Sequence, residues 1–280
     1  MRNLPWNRND CLQHIPGGAL GMVHLPALPG SPGWQGDMGR VLELALADAA
    51  ALVDGGFKSL MVENYQDIPF HPGRVPAVTV AAMTAVITEI RRLYPHLPLG
   101  VNVLRNDVAS ALGIAAATGA AFVRVNVHTG AMVTDQGTIE GQAWHTLRLR
   151  RELGAENVAI LADLRVKHAR PLAERPLAEE AQDLRLRGLA DAVILTGVAT
   201  GSGASPAEVA EVREAIPECP LVVGSGLNAS TVSDFFPLAD ACIVGSSLKI
   251  NDPSAGQPMV SSALASDFMK ALGFARGKGI

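Results

Sequence analysis

The chain has 280 residues, 48% of them hydrophobic and only 4% aromatic, with a formal net charge of −4. That length suits one large core near the upper size of a single domain, and the charge balance gives no electrostatic reason to expect nucleic acid or an anionic membrane surface as a partner. With few aromatics and many Ala and Gly residues, the core must be aliphatic and built from closely packed helices and strands, which suits an α/β protein.

Residues 1–18 (MRNLPWNRNDCLQHIPGG) lack the apolar stretch of a signal peptide. They read as an N-terminal extension to a domain covering 19–280. From there short apolar runs alternate with longer amphipathic ones. Strand-like runs at 19–25, 59–64, 99–104 and 121–128 are followed by helical patterns at 40–54, 78–94, 107–118 and 142–153. The same beat continues with runs at 158–166, 191–196, 221–225 and 241–246, followed by helical patterns at 177–187, 206–216, 230–236 and 262–272. Gly55-Gly56, Gly119, Gly154 and Gly188 stand where helices should stop, and Ser205-Pro206 and Asn228 where they should start. Eight such units in one chain predict a closed (β/α)8 TIM barrel, single domain, in preference to an open doubly wound sheet. The dinucleotide fingerprint Gly-x-Gly-x-x-Gly is missing after the first run, where HLPALPGSPG stands instead.

No run approaches the ~20 apolar residues of a spanning helix. Cys11, Cys219 and Cys242 follow no metal-ligand spacing and cannot all pair within one chain. The expectation is a cytoplasmic protein in a reducing compartment, with no nucleic acid and no direct membrane insertion. Homo-oligomerisation is possible, with Trp6, Trp34 and the tail from residue 268 as scattered candidate contacts.

Strands of a parallel barrel are normally apolar on both faces, so polar alternation is informative. In the fourth run Val123, Val125 and Val127 share one face and Arg124, Asn126 and His128 the other; in the fifth, Asp163, Arg165 and Lys167 oppose Ala162, Leu164 and Val166. With Glu63 and Asn102 these define an inward polar set at the C-terminal mouth, where barrel enzymes keep their chemistry. Unpartnered burial costs several kcal/mol each, so the groups must pair with one another, with water or with a ligand. An Arg124 ion pair to Glu63 or Asp163 satisfies this structurally; Glu63 and Asp163 as general acid and base satisfy it functionally. His24 and Thr196 stand at the ends of the first and sixth runs. Lys167 also suits a Schiff-base lyase. Divalent metal through Glu63, His128, Asp163 and His24 or His168 is possible, without a compact metal signature; no cofactor is certain.

The seventh and eighth runs end in GSGLNAS (224–230) and GSS (245–247). Backbone N–H groups at such tips commonly form a phosphate pocket in this fold, so Gly224, Ser225, Gly226, Gly245 and Ser246 are the candidate phosphate ligands and a small phosphorylated molecule the expected partner. The same glycines also suit plain tight turns. Thr134 to Gly137 (TDQG) lie in the long loop after the fourth run, a candidate lid in which Asp135 and Gln136 contact polar substrate groups.

Six stretches, GMVHLPALPGSPGW (21–34), VEN (62–64), VRVNVHTGAMVTDQGTIEG (123–141), ADLRVKHARPL (162–172), VILTGVATG (193–201) and IVGSSLK (243–249), together resemble the BtpA/SgcQ family. The resemblance spans nearly the whole barrel and implies a TIM-barrel fold. One branch takes its name from photosystem I biogenesis in cyanobacteria and another from a sugar-metabolism gene cluster; with no membrane signal in this chain, the sugar-like branch is the expectation. The family's usual Leu-Ser after RVNV and His after ADV are replaced here by His128-Thr129 and Arg165. The expected function is an enzyme acting on a phosphorylated sugar or nucleoside-like ribosyl compound, by isomerisation, glycosidic-bond cleavage or phosphorolysis. The alternative is a non-catalytic assembly or regulatory protein that keeps the pocket.

Overall fold

The computed structural model describes residues 4–197 and 203–277. Eight parallel strands close into a barrel: β1 (Ala19–His24), β2 (Leu60–Glu63), β3 (Leu99–Asn102), β4 (Phe122–Val125), β5 (Ala159–Arg165), β6 (Ala192–Thr196), β7 (Leu221–Gly224) and β8 (Ala241–Val244), with β8 pairing back onto β1. Seven helices cover it: α1 (Met38–Asp54), α2 (Ala77–Leu93), α3 (Val108–Thr118), α4 (Ala143–Glu152), α5 (Leu177–Gln182), α6 (Pro206–Ala215) and α7 (Ser262–Ala275).

The continuous apolar runs serve two layers. Outward residues such as Val23, Val62, Val101, Val123, Ile160, Val193 and Val223 pack against the helices. Inward residues Leu20, Met22, Met61, Phe122, Leu161, Ile194, Val222 and Ile243 fill the barrel. Large and small residues alternate within that filling: the Phe122 ring occupies the space beside Gly100, where an added Cβ would lie 1.9 Å from the ring.

Local signals explain most helix ends. Ser205 and Glu208 form a reciprocal capping box on α6, Asp107 caps α3, and α3 stops at Gly119 with φ +67°. After β7 the expected helix over 230–236 is reduced to a 3-10 turn, Val232–Phe235. Asn228 draws the backbone N–H groups of Ser230 and Thr231 onto its own side chain, and Pro237 blocks continuation. α5 continues as a π-helical turn over Asp183–Arg187.

Residues before β1 close the N-terminal end of the barrel. Trp6, Cys11 and Ile15 join the inner cluster. The Trp6 backbone N–H donates to Asp191 Oδ1 (2.8 Å), while Asp191 Oδ2 accepts from Arg150 Nη1 (2.6 Å) and the Ile160 N–H (2.8 Å). Trp6 is 1% exposed, so it is not the surface contact expected of it; Phe268 and Leu272 of the C-terminal tail are buried as well, whereas Phe274 is exposed.

The long loop after β4 is a hairpin, Ala131–Thr134 with Gly137–Glu140, joined by Ala169–Pro171 into a three-stranded antiparallel sheet over the mouth. Val127, Met132, Ile139 and Val166 form its small core. The loops after β4 and β5 are therefore joined in one sheet.

Trp6→Ala should cost about 3–5 kcal/mol, as for other large-to-small changes at buried aromatics. Urea denaturation measures it, and a loss below about 1 kcal/mol would show that the plug is not part of the cooperative core.

Candidate active site at the barrel mouth

Strand register sets the first row of the site. His24, Glu63 and Asn102 are direct neighbours at the ends of β1, β2 and β3. Asn102 Nδ2 donates to Glu63 Oε2, and His24 Nε2 lies 3.8 Å from Glu63 Oε1. A second group comes from β4 and β5. Arg124 places a guanidinium fork on Asp163, with Nε 3.1 Å from Oδ2 and Nη2 3.1 Å from Oδ1, and Asn126 Nδ2 donates to Asp163 Oδ2 at 2.7 Å. Arg124 Nη1, 3.9 Å from Glu63 Oε2, joins the two groups.

Their environments differ, and so do their chemical uses. Burial pushes the Glu63 carboxyl above its ordinary range, opposed by Arg124 and the Asn102 hydrogen bond. His24 is lowered to about 3 by burial and by the positive charges of Lys249, Arg124 and Lys167, so its imidazole is neutral at physiological pH. One face of that imidazole stacks on Tyr65, with ring centroids 4.2 Å apart. The Lys167 ammonium is lowered by burial and by Arg124, against the pull of Glu63 and Asp163.

Two expected residues, His128 and Arg165, face other ways than those read from the sequence. His128 does not face the mouth: its Nε2 lies 2.9 Å from the Gly188 carbonyl, and burial lowers its pKa. Because β4 ends at Val125, its alternation does not extend to residue 128. The metal set Glu63, His128 and Asp163 is therefore not assembled, and among the described residues no three His, Cys, Asp or Glu groups converge on a metal position. Arg165 is turned outward by a register shift between Asp163 and Arg165, and pairs with Glu180 on α5. The Asp163 side chain is wholly buried and both its oxygens accept hydrogen bonds, forming the Arg124 ion pair that the alternation offered.

The Gly-Ser tips divide into two kinds of position. A Cβ at Gly224 would lie 2.8 Å from Thr196 Cγ2, and one at Gly245 would lie 2.9 Å from His24 Cε1. Packing of the barrel's own side chains therefore accounts for these two glycines. Ser225 and Gly226 adopt φ +78° and +75°, Gly226 and Ser246 are exposed, and Ser247 Oγ ties the two tips together through the Leu227 carbonyl (2.7 Å). Ser225 and Gly245 are half-buried, whereas Gly224 is buried. Thr196 Oγ1 donates to the Arg165 carbonyl. The rest of the loop after β6, residues 198–202, lies outside the described residues.

Arg105 and Tyr65 escaped the sequence reading, because each lies just beyond a strand end where alternation gives no direction. Arg105 is 7% exposed and feels Asp163, Asp135, Arg124 and Glu63. Asp135, one of these charges, is exposed at the hairpin tip. Two cavities of about 360 and 350 Å³ flank the mouth, one between the starts of α3 and α4 and one beneath Ala169–Pro171; neither is lined by Glu63.

The depressed His24 has a consequence for acid stability. The unfolded chain binds this proton near pH 6.5 and the folded chain only near pH 3, so stability falls as pH drops through that window. His24→Asn should flatten the acid limb of stability against pH, measured by urea denaturation between pH 7 and 4. Parallel limbs for the two proteins would remove His24 from that role.

The chain matches the BtpA family model over residues 17–272. Photosystem I biogenesis protein BtpA of Synechocystis sp. is 46% identical over 230 residues, covering 82% of this chain and 79% of that protein. An uncharacterized protein of Pyrococcus horikoshii is 42% identical over 232 residues, covering 82% and 86%. Among solved structures, (S)-3-O-geranylgeranylglyceryl phosphate synthase from Thermoplasma acidophilum, in complex with sn-glycerol-1-phosphate, superposes with a TM-score of 0.57 at 16% identity over 94% of this chain and 96% of that one. At that identity the likeness concerns the barrel alone. The extent of the family match and the identity to Synechocystis BtpA make this chain a member of the BtpA family.

Proposed function

We propose that this protein is an enzyme acting on a phosphorylated sugar or nucleoside-like ribosyl compound by general acid/base catalysis, with the phosphate held by Ser225, Gly226 and Ser246 after β7 and β8. The observation that carries this reading is the placement of Glu63. It is a buried carboxyl with raised proton affinity, set between Arg124 and Asn102. A single imidazole, His24, spans from Glu63 to the Gly245 tip. An anion at the tip would thus bring its reacting carbons toward the carboxyl. A proton carrier with a pKa moved toward neutrality is what acid/base work at physiological pH requires.

In this reading Glu63 gives or takes the proton, Arg124 and Lys167 stabilise charge that develops on a substrate oxygen, and Asp163 fixes Arg124 and Asn126. The neighbouring barrel that holds sn-glycerol-1-phosphate lends support to a small phosphate ester as ligand.

A second reading is favoured by the name of the 46% identical relative, a photosystem I biogenesis protein: an assembly factor that retains the pocket without turnover. Lys167, with its lowered pKa, also keeps open an imine-forming lyase, for which borohydride trapping with a keto-sugar phosphate is the direct assay.

A thermal-shift screen with sugar phosphates, nucleosides and nucleotides identifies the ligand class. Glu63→Gln should then lower turnover at least a hundredfold, on the order of 2.7 kcal/mol of barrier, with ligand affinity kept; undiminished turnover would remove Glu63 from the chemistry. Gly226→Val, at φ +75°, should abolish binding of the phosphorylated ligand in calorimetry while the fold survives, and unchanged affinity would count against the phosphate site.

A further inference from the structure

The cations of the mouth are not equally paired. Arg124 has both carboxylates within reach, Asp163 through its fork and Glu63 at 3.9 Å. Arg105 and Lys167 are different. Arg105 Nη2 donates to the Lys167 carbonyl, which brings the two residues side by side. Among the described residues no carboxylate lies within the 4.0 Å ion-pair distance of either. Arg105 is nonetheless 7% exposed. A guanidinium has five donors in a planar fork, and a buried one left without an oxyanion partner is costly. Both residues sit where β3 and β5 end, with Arg124 between them on β4.

Barrel order locates this cation pair relative to the phosphate tips. Reading around the barrel as β1-β8-β7-β6-β5-β4-β3-β2, β7 and β3 are four strands apart in either direction. The Gly-Ser tips and Arg105 therefore face each other across the mouth, with Glu63 and Arg124 between them. Asp135 on the lid hairpin acts on Arg105 from above, so a ligand oxyanion would take over a role that a solvent-exposed carboxylate now fills at longer range.

We infer that Arg105 and Lys167 form a second anion-binding subsite opposite the Gly-Ser tips, so that the ligand carries an oxyanion at each end: a phosphate at the tips, and a carboxylate or second phosphate at Arg105. This rests on the phosphate reading above and narrows its substrate class to doubly anionic compounds.

The test titrates the full chain calorimetrically with three probes: glycerol 3-phosphate, 3-phosphoglycerate and glycerol 1,3-bisphosphate. At least one doubly anionic probe should bind tenfold or more tighter than glycerol 3-phosphate, and which of the two gains identifies a carboxylate or a phosphate as the second group. Arg105→Met should erase that advantage and leave glycerol 3-phosphate binding unchanged. Arg105→Lys keeps the charge without the fork and should lose at least threefold of the advantage; it stands in if the methionine variant fails to fold. Equal affinity of all three probes for the wild-type protein, or an advantage that survives in the folded Arg105 variants, overturns the second subsite and leaves the phosphate site standing. Failure of every probe to bind overturns both.

Discussion

A buried ion pair organises the interior of this barrel. Arg124 and Asp163 sit on adjacent strands, and neither can be placed in a low-dielectric interior without the other. Once the fork between them is formed, Asp163 has no free oxygen facing the mouth, Asn126 is fixed by its donated hydrogen bond, and the outer edge of the guanidinium is presented to Glu63. The pair therefore does more than cancel charge. Beside the larger effect of burial, its charges also act on Glu63 and on Lys167.

A packed apolar interior supports this polar level from below. Leu20, Met61, Phe122, Leu161 and Ile194 fill the barrel, and Trp6 and Ile15 close its floor. Water is excluded from beneath the ionisable groups, which is why burial is the leading cause of the shifts at Glu63, His24 and Lys167. Small residues are used where side chains must interlock: Gly100 yields to Phe122, Gly224 to Thr196, and Gly245 to His24. At the last of these, one glycine serves both packing and site, because it seats the imidazole that links the β8 tip to Glu63.

The small antiparallel sheet is tied to the same level. The hairpin after β4 and the segment after β5 form one antiparallel sheet, and Arg105 is held to Lys167 at the root of that segment.

All eight strands, most helix boundaries and the meeting of Glu63, Asn102, Arg124, Asn126 and Asp163 were legible in the sequence. Period-2 alternation, aliphatic runs and capping residues are local properties, and the chain carries them at every unit. Legibility ended where regular backbone ended. Alternation assigned His128 inward although β4 stops three residues earlier, and it carried Arg165 inward across a register shift that no local signal marks. It was silent on Arg105 and Tyr65, which lie past strand ends, and on the burial of Trp6, because the cavity that receives it is built by strands distant in sequence. Sequence alone thus determined the closed barrel and the inward direction of the polar groups on undistorted strand, since side-chain direction on a strand follows from position. Only the tertiary structure decided which carboxyl is raised by burial and which is gripped by the guanidinium fork, because burial and charge contacts are made by residues far apart along the chain.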